Sequence, residues 1–254
     1  MTVLSRDGKV LRHLGPSGVE NQSATGLTVT PTGQLVVINW RSKTVSFLHP
    51  DDGSLLKSFT NPTFVEPIDV AVTSRGETIV ADSGARKVFK FDTSGNLVMT
   101  FGSHGDKDGQ FKVISALCIG KNDDILVADH RIQVFTKDGK FVRKVSDSGE
   151  GSFGGIAVDN GGNILATKTE KCPKADRTSK DCLGVSGTPE KGGGGGSGGR
   201  QSLVHVFHCS GKLLYSLDSH SDRLKRPSGL AVLSDYRVLV ADLGNNCVKK
   251  YFYK

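Results

Sequence analysis

Three carboxylates recur in one sequence context, and they are the first candidates for chemistry. Asp82, Asp129 and Asp242 each end the tripeptide Val-Ala-Asp. Converging acids could hold a metal ion or act as general acid and base. A carboxylate at the end of a strand, however, can also accept hydrogen bonds from the backbone of the following turn. We therefore expect a structural role for all three, and we predict no catalytic residue, no metal and no other cofactor.

Histidines and cysteines do not form a second constellation for catalysis or metal binding. His205 and His208 lie three residues apart on one predicted strand, so their side chains point to opposite faces of the sheet. The five cysteines are irregularly spaced and form no Cys-x-x-Cys pair. We predict free thiols in a reducing, cytoplasmic compartment, although Cys172 and Cys182 could pair on oxidation. The cysteines are Cys118, Cys172, Cys182, Cys209 and Cys247.

Basic side chains are the remaining candidates for function. Lysine and arginine total 33 against 26 acidic residues, a net charge of +7. This excess favours anionic partners, although solubility alone would also account for it. The sequence has neither a Gly-x-Ser-x-Gly nucleophile motif nor a Walker phosphate loop. It also lacks an apolar run of about 18 residues, and its N-terminus lacks the apolar core of a secretory signal, so we expect no membrane association.

An internal repeat indicates which elements position these side chains. Each copy has two short apolar runs separated by a turn, a third run of alternating polarity, a glycine-containing turn and a fourth run. Gly53, Gly95 and Gly139 occupy the same turn in successive copies, 42 and 44 residues apart. Tandem four-stranded units of about 40–45 residues are typical of a β-propeller. The fold class is therefore predicted to be all-β, with one propeller domain over residues 1–254.

The strand count favours five blades, with six possible. The N-terminal segment has the pattern of a third strand, an Asp7-Gly8 turn and a fourth strand, whereas the chain reaches only a third strand at its other end. We expect the N-terminal strand to complete the last blade and close the ring.

One blade carries an insertion, assigned to residues 168–200. It contains the glycine-rich run KGGGGGSGG at 191–199, which is typical of a flexible linker. A natural low-complexity loop and an engineered Gly/Ser linker both fit this composition, and we assign it no function.

The best-defined copy of the cycle resembles the NHL repeat. In residues 127–141, Val-Ala-Asp is followed by Arg-Ile-Gln-Val-Phe and then by Asp-Gly-Lys-Phe. The resemblance covers nearly the whole chain outside the insertion, where Lys168 stands in place of the strand-end aspartate. NHL propellers typically have six blades, so a count of five departs from the family. The sequence is most similar to the C-terminal propellers of tripartite-motif ubiquitin ligases, with an antiviral, innate-immunity member as the specific match.

Basic and aromatic residues cluster on one set of predicted loops. In a propeller, the turns between second and third strands lie on one face together with the connections between blades. Lysine and arginine there can neutralise phosphates, and an aromatic ring can stack on an unpaired base. The resemblance adds that several NHL propellers bind single-stranded RNA on this face. The predicted RNA-binding residues are Trp40, Arg41, Lys43, Arg86, Lys87, His130, Arg131, Lys225 and Arg226.

These observations predict a monomeric, non-catalytic domain that binds single-stranded RNA. The resemblance implies that it is the targeting module of a tripartite-motif ubiquitin ligase. The alternative is a propeller that recruits protein substrates and binds no RNA, since propeller loops are general docking surfaces. A basic rim without any ligand is the third interpretation. A remote alternative is a metal-dependent peptidyl-hydroxyglycine lyase, which resembles NHL repeats but needs converging histidines and an oxidising compartment.

Overall fold

Twenty-one short β-strands form in the part of the chain that the computed structural model describes, residues 1–14, 24–145, 151–171, 200–217 and 223–254. The apolar runs are too short for helices and are rich in Val, Ile and Phe, which suit a pleated, half-buried surface. Between them, Asp-Gly, Ser-Gly and related turns reverse the chain. Within these ranges the helical structure is a single 3-10 turn at Lys121–Asp123.

Strands that follow one another in the sequence pair with each other and form small antiparallel sheets. The N-terminal hairpin consists of β1 (Thr2–Leu4) and β2 (Val10–His13). Sheet 1 consists of β3 (Ala24–Val29), β4 (Leu35–Asn39), β5 (Thr44–Leu48) and β6 (Leu55–Thr60). Sheet 2 consists of β7 (Pro67–Val72), β8 (Thr78–Asp82), β9 (Lys87–Phe91) and β10 (Leu97–Phe101).

Three further sheets follow the same order. Sheet 3 consists of β11 (Ala116–Ile119), β12 (Ile125–Ala128), β13 (Ile132–Phe135) and β14 (Phe141–Val145). Sheet 4 consists of β15 (Gly151–Val158), β16 (Ile164–Lys171), β17 (Arg200–Phe207) and β18 (Leu213–Leu217). Sheet 5 consists of β19 (Pro227–Val232), β20 (Arg237–Asp242) and β21 (Cys247–Phe252). The predicted fold class, an all-β propeller with five blade-type sheets, is confirmed.

The pairing of the N-terminal strands differs from the expected one. β1 pairs with β2, with Thr2 opposite His13, and sheet 5 has three strands in the described part of the chain. The Asp7-Gly8 turn explains this pairing, because it brings the two strands together locally and Gly8 supplies the positive φ (86°) that the turn needs. Arg12 of the hairpin donates to the carbonyl of Pro50 at 3.1 Å, which ties the hairpin to sheet 1.

The chain divides into two compact units. The first comprises residues 1–129 and 133–143, and the second comprises residues 130–132 and 144–254. That residues 1–254 form a single domain stays a prediction.

Each unit has apolar cores between consecutive sheets. In the first unit, Val45 and Phe47 of sheet 1 belong to one cluster with Val70 and Phe89 of sheet 2. A second cluster joins sheets 2 and 3 and includes Phe111, which is fully buried although it lies outside the strands. In the second unit, sheets 4 and 5 share a cluster of Leu165, Val204, Val206, Val238, Val240 and Tyr253. Burial between sheets is therefore the source of stability, since one such sheet cannot cover both its faces.

The insertion begins and ends inside a hairpin that is longer than predicted. β16 and β17 stay paired as far as Lys171 opposite Arg200. Residues 168–171 and 200 are therefore strand rather than loop, and residues 172–199, with the glycine run, Cys172 and Cys182, lie outside the described residues.

Phe111 provides a test of the core between sheets 2 and 3. We expect Phe111→Ala to lower the free energy of unfolding of the first unit by about 3–5 kcal/mol, because the ring leaves a cavity that its neighbours fill only in part. Chemical denaturation followed by circular dichroism measures this change. Val113→Ala in the same connection is the control, because Val113 is 64% exposed and its loss should change stability by less than about 0.5 kcal/mol. Equal effects of the two substitutions would contradict this assignment of the core.

Candidate functional site

The turns between second and third strands begin at a buried polar side chain. Asp82 is fully buried at the end of β8, and its carboxylate accepts hydrogen bonds from the backbone N–H groups of Val65, Glu66 and Ala85 at 2.7–2.8 Å. Ala85 belongs to the turn that follows β8, whereas Val65 and Glu66 belong to the connection from sheet 1. One carboxylate thus holds two loops together.

Asp242 has the same role in the second unit. Its carboxylate accepts hydrogen bonds from Lys225 N at 3.1 Å and from Arg226 N at 2.9 Å. It also accepts one from the side-chain amide of Asn245 at 2.7 Å. Burial alone would raise the pKa of Asp242, but these hydrogen bonds and the charge of Lys249 outweigh it and lower that pKa.

The remaining sheets show variants of this arrangement. Asn39 replaces the aspartate in sheet 1, and its Oδ1 accepts from the N–H groups of Arg41 and Ser42 at 3.1 and 3.2 Å. Asp129 in sheet 3 accepts from Lys112 N at 3.3 Å. The predicted hydrogen bond from the backbone of the following turn is present at Asp82. Asp129 accepts from the preceding connection, and Asp242 accepts from that connection and from the side chain of Asn245.

Sheet 4 departs from the pattern, as the sequence indicated. Lys168, at the aspartate position, is 2% exposed. Its ammonium group lies 3.6 Å from a carboxylate oxygen of Glu170 and 5.4 Å from the ring centre of Phe153. A buried cation with an acidic and an aromatic neighbour takes the place of the buried anion.

Close packing accompanies the hydrogen bonds of the strand-end acid. Gly84 lies so near the connection from sheet 1 that a Cβ atom there would come within 2.9 Å of Glu66 Cβ. Gly244, at the same place in the second unit, would come within 3.0 Å of Arg226 N. Neither position has room for a side chain, so each turn and its connection form one packed surface.

Three of these turns also share an unusual backbone conformation. Each has four residues between its strands, and the last of them has a positive φ: Lys43 (55°), Arg86 (54°) and Asn246 (52°). Asparagine tolerates this left-handed region, whereas lysine and arginine occupy it less readily. Two predicted site residues, Lys43 and Arg86, are therefore held in a costly conformation by the surrounding turn. Sequence reasoning missed this feature, because no glycine marks those positions.

The first unit contains five of the predicted site residues. Trp40 is 40% exposed, and the Arg41 guanidinium lies over its ring, 5.4 Å from the centroid. Lys43 and Lys87 are exposed, whereas Arg86 is half-buried and donates from Nη1 to the carbonyl of Gly84 at 3.0 Å. Trp40 and Arg41 are thus the pair that the structure brings into direct contact.

The second unit contains the other four, and one of them requires a correction. Lys225 and Arg226 have exposed side chains, while their backbones are bound by Asp242. His130 is half-buried. Arg131 is only 7% exposed and is therefore not presented to solvent as predicted. The physical reason is turn length: two residues separate Asp129 from β13, whereas four follow the strand-end polar residue in sheets 1, 2 and 5. Arg131 therefore lies directly at the start of the buried strand.

Exposed apolar side chains form part of the same loops, and no sequence pattern predicted them. Val65 in the connection before sheet 2 is 56% exposed, and Val113 in the next connection is 64% exposed. Lys112, beside Val113, forms an ion pair with Asp106 at 2.7 Å, so that connection adds little net charge. The loops of the first unit thus carry both exposed cations and exposed apolar groups.

Metal-binding clusters and membrane-spanning helices are absent from the described residues. No group of three or more His, Cys, Asp or Glu side chains in them is placed to hold a metal ion. None of their helical segments has the length and hydropathy needed to cross a bilayer. In this part of the chain Cys118, Cys209 and Cys247 are reduced thiols.

Comparison with known proteins supports the repeat assignment. Residues 224–251, which include the three strands of sheet 5 except Phe252, match the NHL repeat family. A stretch of 110 residues is 33% identical to the protein brain tumor of Drosophila melanogaster, over 41% of this chain and 11% of that protein. The chain therefore spans about a tenth of the length of this curated relative.

Solved structures are similar at the level of the fold. A protein of unknown function from Bacteroides caccae matches 95% of this chain and 78% of its own, with a TM-score of 0.62 and 14% identity. Hydrazine synthase of Kuenenia stuttgartiensis matches 94% of this chain and 80% of its own, with a TM-score of 0.58 and 14% identity. At such identity the likeness concerns the fold alone. The chain therefore has a β-propeller fold, in which residues 224–251 match the NHL repeat.

The hydrogen bonds of Asp82 provide a test of how the loops are held. We expect Asp82→Ala to lower the free energy of unfolding of the first unit by about 3 kcal/mol or more, because each buried donor left without an acceptor costs about 1–3 kcal/mol. Asp82→Asn should cost less, since the amide keeps one oxygen acceptor. Denaturant titration of the wild type and the two variants measures their free energies of unfolding. An alanine variant as stable as the wild type would contradict the role assigned to the carboxylate.

Proposed function

We propose that this chain is a recognition domain that binds single-stranded RNA through the loops held by the strand-end acids. The observation that carries the proposal is the contact of the exposed Trp40 ring with Arg41, on a turn that also presents Lys43. Cations neutralise the phosphates, and the ring offers a π-face to any unpaired base. A single strand can turn its bases toward such a ring, whereas a duplex keeps them stacked.

The second unit supports the same chemistry with its own loops. Lys225 and Arg226 point to solvent from a connection whose backbone is fixed by Asp242. Fixing the backbone lowers the ordering cost of binding, because only the side chains remain to be immobilised. His130 completes the proposed residues of this unit, while the buried Arg131 is left out.

Recruitment of protein is the second candidate function, and a specific observation favours it. Val65 and Val113 are more than half exposed beside the basic turns, and apolar groups of this kind fit a protein partner better than a phosphate backbone. Failure to bind RNA at low salt, with an intact fold, would make this the leading function.

We further propose that the domain serves as the targeting module of a tripartite-motif ubiquitin ligase with an antiviral role in the cytoplasm. The support is the resemblance of residues 127–141 to the NHL repeats of that group. In this setting the domain would choose RNA or protein targets, and catalysis would lie elsewhere in the polypeptide.

A charge-reversal experiment tests RNA binding. We expect labelled single-stranded RNA to bind saturably in fluorescence anisotropy and to weaken steeply between about 50 and 200 mM salt, because counterions are released on binding. The double variant Arg86→Glu/Lys87→Glu should bind at least about tenfold more weakly, since it replaces two phosphate contacts by repulsion.

The matched control is Lys137→Glu/Lys140→Glu. It makes the same change of charge on exposed lysines of the first unit, in the turn between β13 and β14. If both double variants lost the same RNA affinity, the loss would reflect net charge alone. That result would overturn the assignment of RNA binding to the proposed loops.

Trp40 allows a direct test of base stacking, because it is the only tryptophan in the chain. We expect RNA to quench its fluorescence, and Trp40→Ala to weaken binding by about 1–3 kcal/mol without changing the salt dependence. Trp40→Phe keeps an aromatic face and should retain much of the affinity. Binding that leaves Trp40 fluorescence unchanged would contradict stacking at this ring.

A further inference from the structure

Tyr236 occupies a backbone position that favours glycine. It ends the turn between β19 and β20, in which Leu233 N donates to the carbonyl of Arg237, and its φ is 60°. The equivalent residues of the other sheets also have a positive φ, and three of them are glycine. They are Gly33, Gly76, Asp123 and Gly162. A bulky side chain makes this left-handed conformation costly, whereas glycine adopts it without a steric penalty. The fold alone therefore does not account for a tyrosine here.

The ring of Tyr236 packs against that of Tyr253. The two centroids lie 6.2 Å apart, and the ring planes are inclined by 78°. Tyr253 is buried, whereas Tyr236 is 47% exposed, so a buried ring supports an exposed one. Tyr253 N also donates to the carbonyl of Tyr236 at 3.1 Å, which fixes the turn to the end of β21.

A buried carboxylate adjoins these rings. Asp159 is 5% exposed, and it accepts from Tyr253 OH at 3.4 Å and from the backbone and side chain of Asn163 at 2.8 and 2.9 Å. None of these donors is a cation. Burial and then the negative charge of Asp159 raise the pKa of Tyr253 to about 12. The same two causes raise the pKa of Tyr215, which is 40% exposed. Neutral aromatic rings and one anion are thus grouped entirely within the second unit.

A cation of the same chain already lies on one of these rings. The ammonium group of Lys254 is 4.2 Å from the centroid of the Tyr236 ring. The negative face of an aromatic ring attracts a cation, and the attraction is stronger where water is partly excluded. The chemical group that fits this ring is therefore an ammonium on an alkyl stem.

We propose that Tyr215, Tyr236, Tyr253 and Asp159 form a binding site for an alkylammonium group, as carried by a lysine side chain, its methylated forms or a free quaternary amine. Lys254 is then an internal ligand that an external one displaces. The turn of Tyr236 joins a first to a second strand, so it lies at the opposite ends of the strands from the loops proposed to bind RNA. The site does not rest on RNA binding.

NMR titration of the intact chain with ring-labelled tyrosine tests the proposal, since the chain has four tyrosines. We expect millimolar choline to shift the signals of Tyr236 and Tyr215 saturably. The uncharged isostere of choline, with carbon in place of nitrogen, should leave them unchanged. Lys254→Ala should bind choline more tightly, because the internal competitor is removed. Equal shifts with choline and its isostere, or no saturable shift in Lys254→Ala, would overturn the proposal.

Variants of Tyr236 separate binding from folding. Tyr236→Gly removes the ring and relieves the backbone, so circular dichroism should show a folded protein that binds choline at least about tenfold more weakly. Tyr236→Phe keeps the aromatic face and should retain the affinity. Tyr236→Leu keeps apolar bulk without that face and should not. A leucine variant that binds choline as tightly as the wild type would refute the role of the ring.

Two peptides identify the source of the ammonium group. One contains a single trimethyllysine, and the other has unmodified lysine at that position. Tighter binding of either peptide than of choline would assign the site to a protein partner, and binding of choline alone would assign it to a free amine. Failure of all three ligands to bind Lys254→Ala would overturn the proposal.

Discussion

The candidate site depends on a buried carboxylate that accepts hydrogen bonds from two loops at once. Water cannot reach Asp82 or Asp242, so each carboxylate must be satisfied by protein donors, and the N–H groups of a turn and of the neighbouring connection supply them. Charge-assisted hydrogen bonds of this kind are stronger than neutral ones. The carboxylate at the end of the strand therefore fixes the backbone of both loops. The exposed side chains of these loops then project from an ordered backbone.

The positions of the basic and aromatic side chains on these loops depend on the same anchored turns. The turn after β4 places Trp40 and Arg41 next to each other, and the turn after β8 holds Arg86 with a positive φ. A glycine or an asparagine, such as Asn246, would adopt that conformation at lower cost. Arg86 offsets part of this cost by donating to the carbonyl of Gly84 within the turn. Under the proposed function the same guanidinium would also contact phosphate.

The sequence was sufficient for the features that depend on local patterns. The alternating runs, the glycine turns and the Val-Ala-Asp tripeptides predicted the strands, the five sheets and the structural role of Asp82 and Asp242. Features set by contacts between distant segments were not predictable in this way. The burial of Arg131 depends on a turn two residues shorter than its equivalents. The repeat pattern also did not predict that β1 pairs with β2 in a local hairpin. The carboxyl of Asp69 in PIDVAV looks like the polar side of a strand, and only the approach of β11 reveals its contact with Leu117.

The measurement that tests this account most directly is the affinity of Asp82→Ala for single-stranded RNA, at a temperature where circular dichroism shows the variant to be folded. This variant removes an anion and keeps every proposed cation, so a simple charge effect would strengthen binding. Our account predicts weaker binding, because the turn that carries Arg86 and the connection beside it lose their common anchor. Affinity equal to or greater than that of the wild type would contradict the claim that the strand-end acid builds the site.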